Sequence, residues 1–357
     1  MAYERQSASA KIKLAIIFGG RSSEHDVSVL SAAAVLSMVD RCKYEPIPFV
    51  IDKEGGWHLV ETGLENLAEI SDPRIACLSN EKKVSLSEFD SMTDFAFPIL
   101  HGPFGEDGTI QGLFEMMNKP YAGCGVTAAS ISMDKILTKD IWKNAGLPVS
   151  NYTYTTRRAV ENGFAEEVKR IETEIAYPIF IKPANMGSSV GVTKADDRAG
   201  LERAIELALK YDRRVIAEET VFARELEVGV IGNETPIVSA IGEILAQNEY
   251  YDFDSKYKTG DTKLIIPADL PINIKDQIEK LAIKAFCALD GEGFSRMDLF
   301  YDEKHEKVYL NEMNAIPGFT RYSMFPLLWK AKGLEFGELI ERIVDFGYER
   351  HNASHYR

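Results

Sequence analysis

Apolar runs of strand length alternate with amphipathic stretches along the chain. IKLAIIFGG (12–20) is a buried-strand pattern closed by two glycines, and SVLSAAAVLSMV (28–39) follows with helix-forming Ala and Leu. PIPFVID (46–52) and FAFPIL (95–100) are further apolar strands, each leading into a Gly- or charge-rich loop. This pattern predicts a parallel α/β opening. A different block follows. MDKILTKDIWKNAGLPV (133–149) predicts a helix stopped by Gly146 and Pro148. PIFIKP (178–183) and VGVTKA (190–195) predict a hairpin around ANMGSS, RAGLERAIELALKY (198–211) a helix, and RVIAEET (214–220) a strand. The last block predicts strands near 225–232, 236–245 and 262–268, and a helix within 273–289. GFSRMDLFYD (293–302) and KVYLNEMN (307–314) form a second hairpin, and 334–350 a final helix.

The 357 residues suit two or three domains of roughly 100–150 residues. The blocks place them at 1–123, 124–218 and 219–357. Net charge is −14, from 41 Lys and Arg against 55 Asp and Glu. An acidic surface repels phosphate backbones and anionic lipid, so neither a nucleic-acid polymer nor a membrane is an expected partner. No apolar run reaches a membrane span, and the polar N-terminus predicts no secretory leader. Four scattered cysteines (Cys42, Cys77, Cys124, Cys287) read as reduced structural thiols of a cytoplasmic protein.

The second hairpin carries the most chemistry. Residues two apart in a strand share a face. With a tight loop centred on His305, Asp298 stands opposite Glu312 and Arg296 opposite Asn314. Like charges directly opposed destabilise a sheet, so two carboxylates and an amide oxygen call for a cation. Oxygen ligands without Cys or His suit Mg²⁺. The alternative is a hairpin face simply exposed to water. Arg296 beside the metal could hold a developing oxyanion.

No Walker loop is present. Instead Lys182 ends an apolar strand and enters the small-residue loop 184–191, where Gly187 and Gly191 permit close backbone approach to phosphate. Lys135 is a second candidate cation, and Lys256 lies in YYDFDSKYKTGDT (250–262), long enough for a lid. With Arg296, these lysines predict a basic interior in an acidic protein. Glu24, in FGGRSSEHDVS (18–28), and His101, in LHGPFGEDGTIQG (100–112), lie after strands, where ligands collect in open α/β sheets. A helix-capping acid and a turn histidine are the alternatives.

FGGRSSEHDVS, HGPFGEDGTIQG, SMDK, IFIKPANMGSSVGVTKA, SRMD and NEMNAIPGFT, in this order and spacing, closely resemble the D-alanine–D-alanine ligase family of the ATP-grasp superfamily, from about residue 12 to 345. The resemblance implies an α/β (α+β) chain, an ATP-grasp fold with a Rossmann-like N-terminal domain, and ATP between the last two domains. It implies that D-Ala is phosphorylated by ATP and joined to a second D-Ala for peptidoglycan precursors, in the cytoplasm, by a homodimer. It places Lys135, Lys182 and Lys256 on ATP phosphates and Ser188 between nucleotide and amino acid. Glu218 reads adenine, Glu219 and Val221 form the hinge, and Glu225 binds ribose. Asp298, Glu312 and Asn314 hold Mg²⁺ or Mn²⁺. Glu24 takes the ammonium of the first D-Ala, and His101 lies by its carboxyl group. Arg296 and the backbone near Gly318 form the oxyanion site, and Ser323 binds the second carboxylate. Tyr257 follows Lys256 in the family's lid pattern. Met324 after Ser323, where D-Ser ligases carry arginine, suits a methyl group; a D-Ala–D-Ser (or other D-Ala–X) ligase and a non-catalytic ATP-grasp nucleotide sensor are the alternatives.

Overall fold

The computed structural model describes residues 10–60, 81–245 and 263–354. Lys256 and Tyr257 lie outside these residues. The N-terminal part contains β1 (Ile12–Gly19), α1 (His25–Met38), β2 (Tyr44–Ile51), β3 (Trp57–Val60), β4 (Glu81–Lys83), α2 (Leu86–Met92), β5 (Phe95–Pro98), α3 (Thr109–Met116) and α4 (Val126–Met133). Its sheet runs β4-β3-β2-β1-β5. β1 is parallel to both β2 and β5, as a strand apolar on both faces requires. The sheet is not wholly parallel, because β3 and β4 add antiparallel strands at one edge.

The central part holds α5 (Lys135–Asn144), β6 (Tyr152–Thr156), α6 (Arg157–Glu174), β7 (Ile179–Pro183), β8 (Thr193–Ala195), α7 (Arg198–Ala208) and β9 (Arg214–Glu219). Its antiparallel sheet is ordered β6-β9-β7-β8. The predicted first hairpin is the β7–β8 pair.

The last part holds β10 (Arg224–Ile231), β11 (Ile237–Leu245), β12 (Lys263–Ile265), α8 (Ile272–Ala288), β13 (Phe294–Asp302), β14 (Lys307–Asn314), α9 (Met324–Ala331) and α10 (Phe336–Ser354), with sheet order β12-β11-β10-β13-β14. Arg296 pairs with Asn314 and Asp298 with Glu312, the register read from the sequence. One residue further the register slips, and Leu299 pairs with Leu310. Leu310 is fully buried, whereas the Glu312 side chain is 30% exposed. Two residues apart, they would share a face; the bulge lets each take its own side.

α10 does not stay with the sheet that precedes it. Its Leu339, Ile340, Ile343 and Val344 join Leu14, Ile16 and Phe18 of β1 in one buried cluster. Phe294, Phe319, Phe325 and Trp329 belong to the same cluster. First and last parts of the chain therefore share a core.

Candidate functional site

Glu24 precedes α1 but its side chain makes no cap hydrogen bond. The carboxylate instead accepts a hydrogen bond from the Ser188 hydroxyl, 164 residues away. Ser188 and Ser189 both hold positive φ (49° and 59°), which turns the loop after β7 towards the first sheet. Two glycines make room for the Glu24 carboxylate. A Cβ on Gly102 (φ 72°) would lie 2.6 Å from Glu24 Oε2, and one on Gly187 would lie 2.9 Å from it. The closeness expected of Gly187 thus serves a side chain of this protein. Beside these loops, at the C-terminal ends of β1, β2 and β5, is a cavity of about 310 Å³ bordered by Gly20, Ser22 and His101.

A buried ion cluster lies below the loop. Lys182 Nζ donates to Glu218 Oε2 at 3.1 Å, and Lys139 Nζ lies 3.5 Å from the same oxygen. Burial alone would raise the Glu218 carboxyl; Lys139, Lys182 and Lys135 overcome it and hold the group at about 2. Burial lowers Lys139 and Lys135, whereas for Lys182 the nearby carboxylates outweigh burial and raise it. Glu218 Oε1 is buried and has no protein partner among the described residues. Lys135 opens α5, N-capped by the Asp134 side chain. Its Nζ donates to the Met186 carbonyl at 2.7 Å and lies 3.9 Å from Glu312 Oε2. Lys139 is absent from the sequence-derived set. Its signal was its place four residues after Lys135, on the same helix face.

Three carboxylates form a row across three strands. Glu227 of β10 stands opposite Asp298, and Asp298 opposite Glu312. Glu227 was also missed, although it shares a strand face with Glu225. Arg296 offsets the repulsion: Nε and Nη2 each donate to an Asp298 oxygen at 2.7 Å, and Nε lies 3.0 Å from Glu227 Oε2. Asn314 Nδ2 donates to Asp298 Oδ2 at 3.0 Å. Burial opposes the charge on Arg296, and Asp298 and Glu227 raise its pKa well above the usual value. The predicted basic interior needs correction. Among the described residues, four cations (Lys135, Lys139, Lys182, Arg296) meet four carboxylates (Glu218, Glu227, Asp298, Glu312). Opposed carboxylates therefore do not by themselves demand a metal, since Arg296 and Lys135 stand beside them.

The remaining candidates spread around this cleft. Glu219 Oε1 accepts from Asn151 N–H at 2.6 Å. Val221 lies between β9 and β10, and Glu225 is on β10 near enough to Lys182 to raise its pKa. Ser323 Oγ accepts from Thr320 N–H at 3.0 Å, and a Cβ on Gly318 would lie 3.0 Å from it. His101 is 4% exposed, with Nδ1 2.9 Å from the Ile316 carbonyl and Nε2 3.1 Å from Ser31 Oγ. Met324 is 6% exposed and packs with Ile244 and Leu328.

The chain is similar to known proteins over nearly its whole length. The family described as D-ala D-ala ligase N-terminus matches residues 13–124, and that described as D-ala D-ala ligase C-terminus matches 141–345. A D-alanine--D-alanine ligase of Acetivibrio thermocellus is 42% identical over 96% of this chain and 97% of its own. One of Bacillus cytotoxicus is 44% identical over 96% and 97%. Among solved structures, the VanG D-Ala:D-Ser ligase of Enterococcus faecalis has a TM-score of 0.84 at 33% identity, covering 95% of this chain and all of that one. The D-alanine-D-alanine ligase of Coxiella burnetii has a TM-score of 0.84 at 28% identity, covering 98% and 97%.

Proposed function

Because this chain belongs to the D-alanine–D-alanine ligase family, we propose that it joins two D-alanines at the expense of ATP in the cleft just described. It is an ATP-dependent ligase with an ATP-grasp fold, and its product serves peptidoglycan precursor synthesis. The observation that carries the residue assignment is the Glu24–Ser188 hydrogen bond, which joins the amino-acid loop to the nucleotide loop.

The nucleotide lies between the central and last sheets. Lys135 and Lys182 face its phosphates, with Lys256 from the segment outside the described residues. The unpartnered Glu218 Oε1 fits the adenine amino group, a donor that a buried acceptor lacks. Glu219 and Val221 form the hinge, and Glu225 takes the ribose.

Asp298, Glu312 and Asn314 would hold Mg²⁺ or Mn²⁺. Their oxygens suit a hard cation, and among the described residues the charges of the cleft balance one another, which leaves those of ATP unmet. The ion supplies neutralisation of phosphate charge.

Glu24 orients the first D-Ala by its ammonium, with its carboxyl beside the His101 loop. That carboxylate takes the γ-phosphoryl of ATP, and ADP leaves. The amine of the second D-Ala, whose carboxylate lies at Ser323, attacks the acylphosphate. The tetrahedral oxyanion forms beside Arg296 and the Gly318 N–H, and collapse expels phosphate. The family resemblance assigns Tyr257, outside the described residues, to the same reaction. The protein forms no covalent bond and acts by position and charge.

The three blocks (1–123, 124–218, 219–357) act as domains of a cytoplasmic homodimer. No helix among the described residues is long and apolar enough to cross a membrane. Purified protein with ATP, Mg²⁺ and D-Ala is expected to release phosphate and form the dipeptide, identified by mass. Folded, ATP-binding protein that releases none overturns the reading. Faster release with D-Ala plus D-Ser would make it a D-Ala–D-Ser ligase.

A further inference from the structure

The stretch 316–320 carries Gly318, and its backbone donors are claimed one after another. Ile316 N–H donates to Glu106 Oε1 at 2.9 Å, and Pro317 has no N–H. Phe319 N–H donates to Ser31 Oγ at 3.3 Å and Thr320 N–H to Ser323 Oγ at 3.0 Å. Only the Gly318 N–H of this stretch has no protein acceptor among the described residues.

The groups that claim its neighbours are themselves fixed. Glu106 Oε2 accepts from Gly102 N–H at 2.8 Å. A carbonyl only accepts, so the 2.9 Å contact to the Ile316 oxygen puts the proton of His101 on Nδ1. Nε2 is then an acceptor. Ser31 Oγ, at 3.1 Å, donates to it while accepting the Phe319 N–H. Ser31 is fully buried. The Phe319 ring packs edge-on against Phe97 and Phe294. One loop of the first sheet thus grips the Ile316 residue at both its N–H and its C=O, two residues before the free donor.

We propose that Ser31, His101 and Glu106 are positioning residues that aim the Gly318 N–H at the developing oxyanion. The proposal rests on the ligase reading for the identity of that oxyanion. A donor held in place beforehand needs no reorganisation when charge develops, and loss of one such donor costs about 10²–10³ in kcat. A displacement of about 1 Å can cost about 10²-fold.

Two variants test this. Glu106→Gln sets an amide NH₂ against a backbone N–H, so one of the two hydrogen bonds is lost. Ser31→Ala removes the bridge between His101 and Phe319. The expected fall in kcat for phosphate release is roughly 100-fold for Glu106→Gln and roughly 10-fold for Ser31→Ala, with ADP affinity within about twofold of wild type. Amide hydrogen exchange over 315–320, measured without ligand, is expected to rise in both. A merely structural role would lower yield or Tm but leave kcat per nucleotide-binding molecule and exchange unchanged, and that result overturns the proposal. If Glu106→Gln does not fold, Ser31→Ala decides by the same readouts. If wild type itself releases no phosphate with D-Ala, the ligase reading falls, and the exchange comparison still decides whether these residues hold the segment.

Discussion

Asp298 stands directly opposite Glu312 across β13 and β14, and Glu227 stands opposite Asp298 on its other side. A row of like charges at the spacing of a sheet is repulsive. It persists because Arg296 bonds the central carboxylate with two nitrogens. Asp298→Asn and Glu312→Gln each remove one charge from the row and one oxygen ligand from the proposed metal site. Turnover is expected to fall at least about 10³-fold, while the thermal midpoint stays within a few degrees. Wild-type turnover in both would refute the metal assignment.

Arg296 has a second task beside the oxyanion. Arg296→Ala leaves Glu227 and Asp298 without their guanidinium, so stability is expected to fall by roughly 3 kcal/mol and kcat more than KM. Arg296→Lys keeps the charge but not the two-nitrogen fork. It should recover most of the stability and little of the rate. Denaturant midpoints and steady-state kinetics on both variants separate the two tasks; equal recovery of both by lysine would remove the geometric requirement.

Gly102→Ala places a Cβ 2.6 Å from Glu24 Oε2 at a φ of 72°. The backbone strain costs about 1 kcal/mol, and the carboxylate must shift away from Ser188. KM for D-Ala should rise about tenfold, with ADP affinity unchanged. An unaltered KM would show that Glu24 does not contact the amino acid.

Glu218 makes stability depend on acid pH. Its folded-state pKa, about 2, lies below the ordinary 4.5, so the unfolded chain takes up the proton first. The contribution is fully present above pH 4.5 and is lost as pH falls towards 2. The stability advantage of wild type over Glu218→Gln should therefore shrink across that window, as read from urea midpoints. A constant difference would deny the carboxyl its ionic partners. Lys139→Met, which removes one of those partners, should weaken ADP binding roughly tenfold without unfolding the chain.

Several elements escaped the sequence for local reasons. α6 buries only Val168 and Ile171 among its described side chains, too few to set a helical period. α9 holds Pro326 in its first turn, where proline is tolerated but reads as a break. β3 and the edge strand β4 beside it are short, and no apolar alternation announces β4.

What the residues determined by themselves is what short-range geometry dictates. A two-residue period and a tight loop place Asp298 against Glu312. An apolar strand carries Lys182 into a small-residue loop, and the motif strings identify the family. Tertiary structure decided which charges neutralise which. Glu24 with Ser188 and Glu106 with Ile316 are 164 and 210 residues apart, and no periodicity links such positions. Lys139 reads as one more helix lysine until the fold buries it against Glu218. A side chain's type is local, but its partner is set by how three sheets pack together, because burial removes the water that would otherwise satisfy each charge.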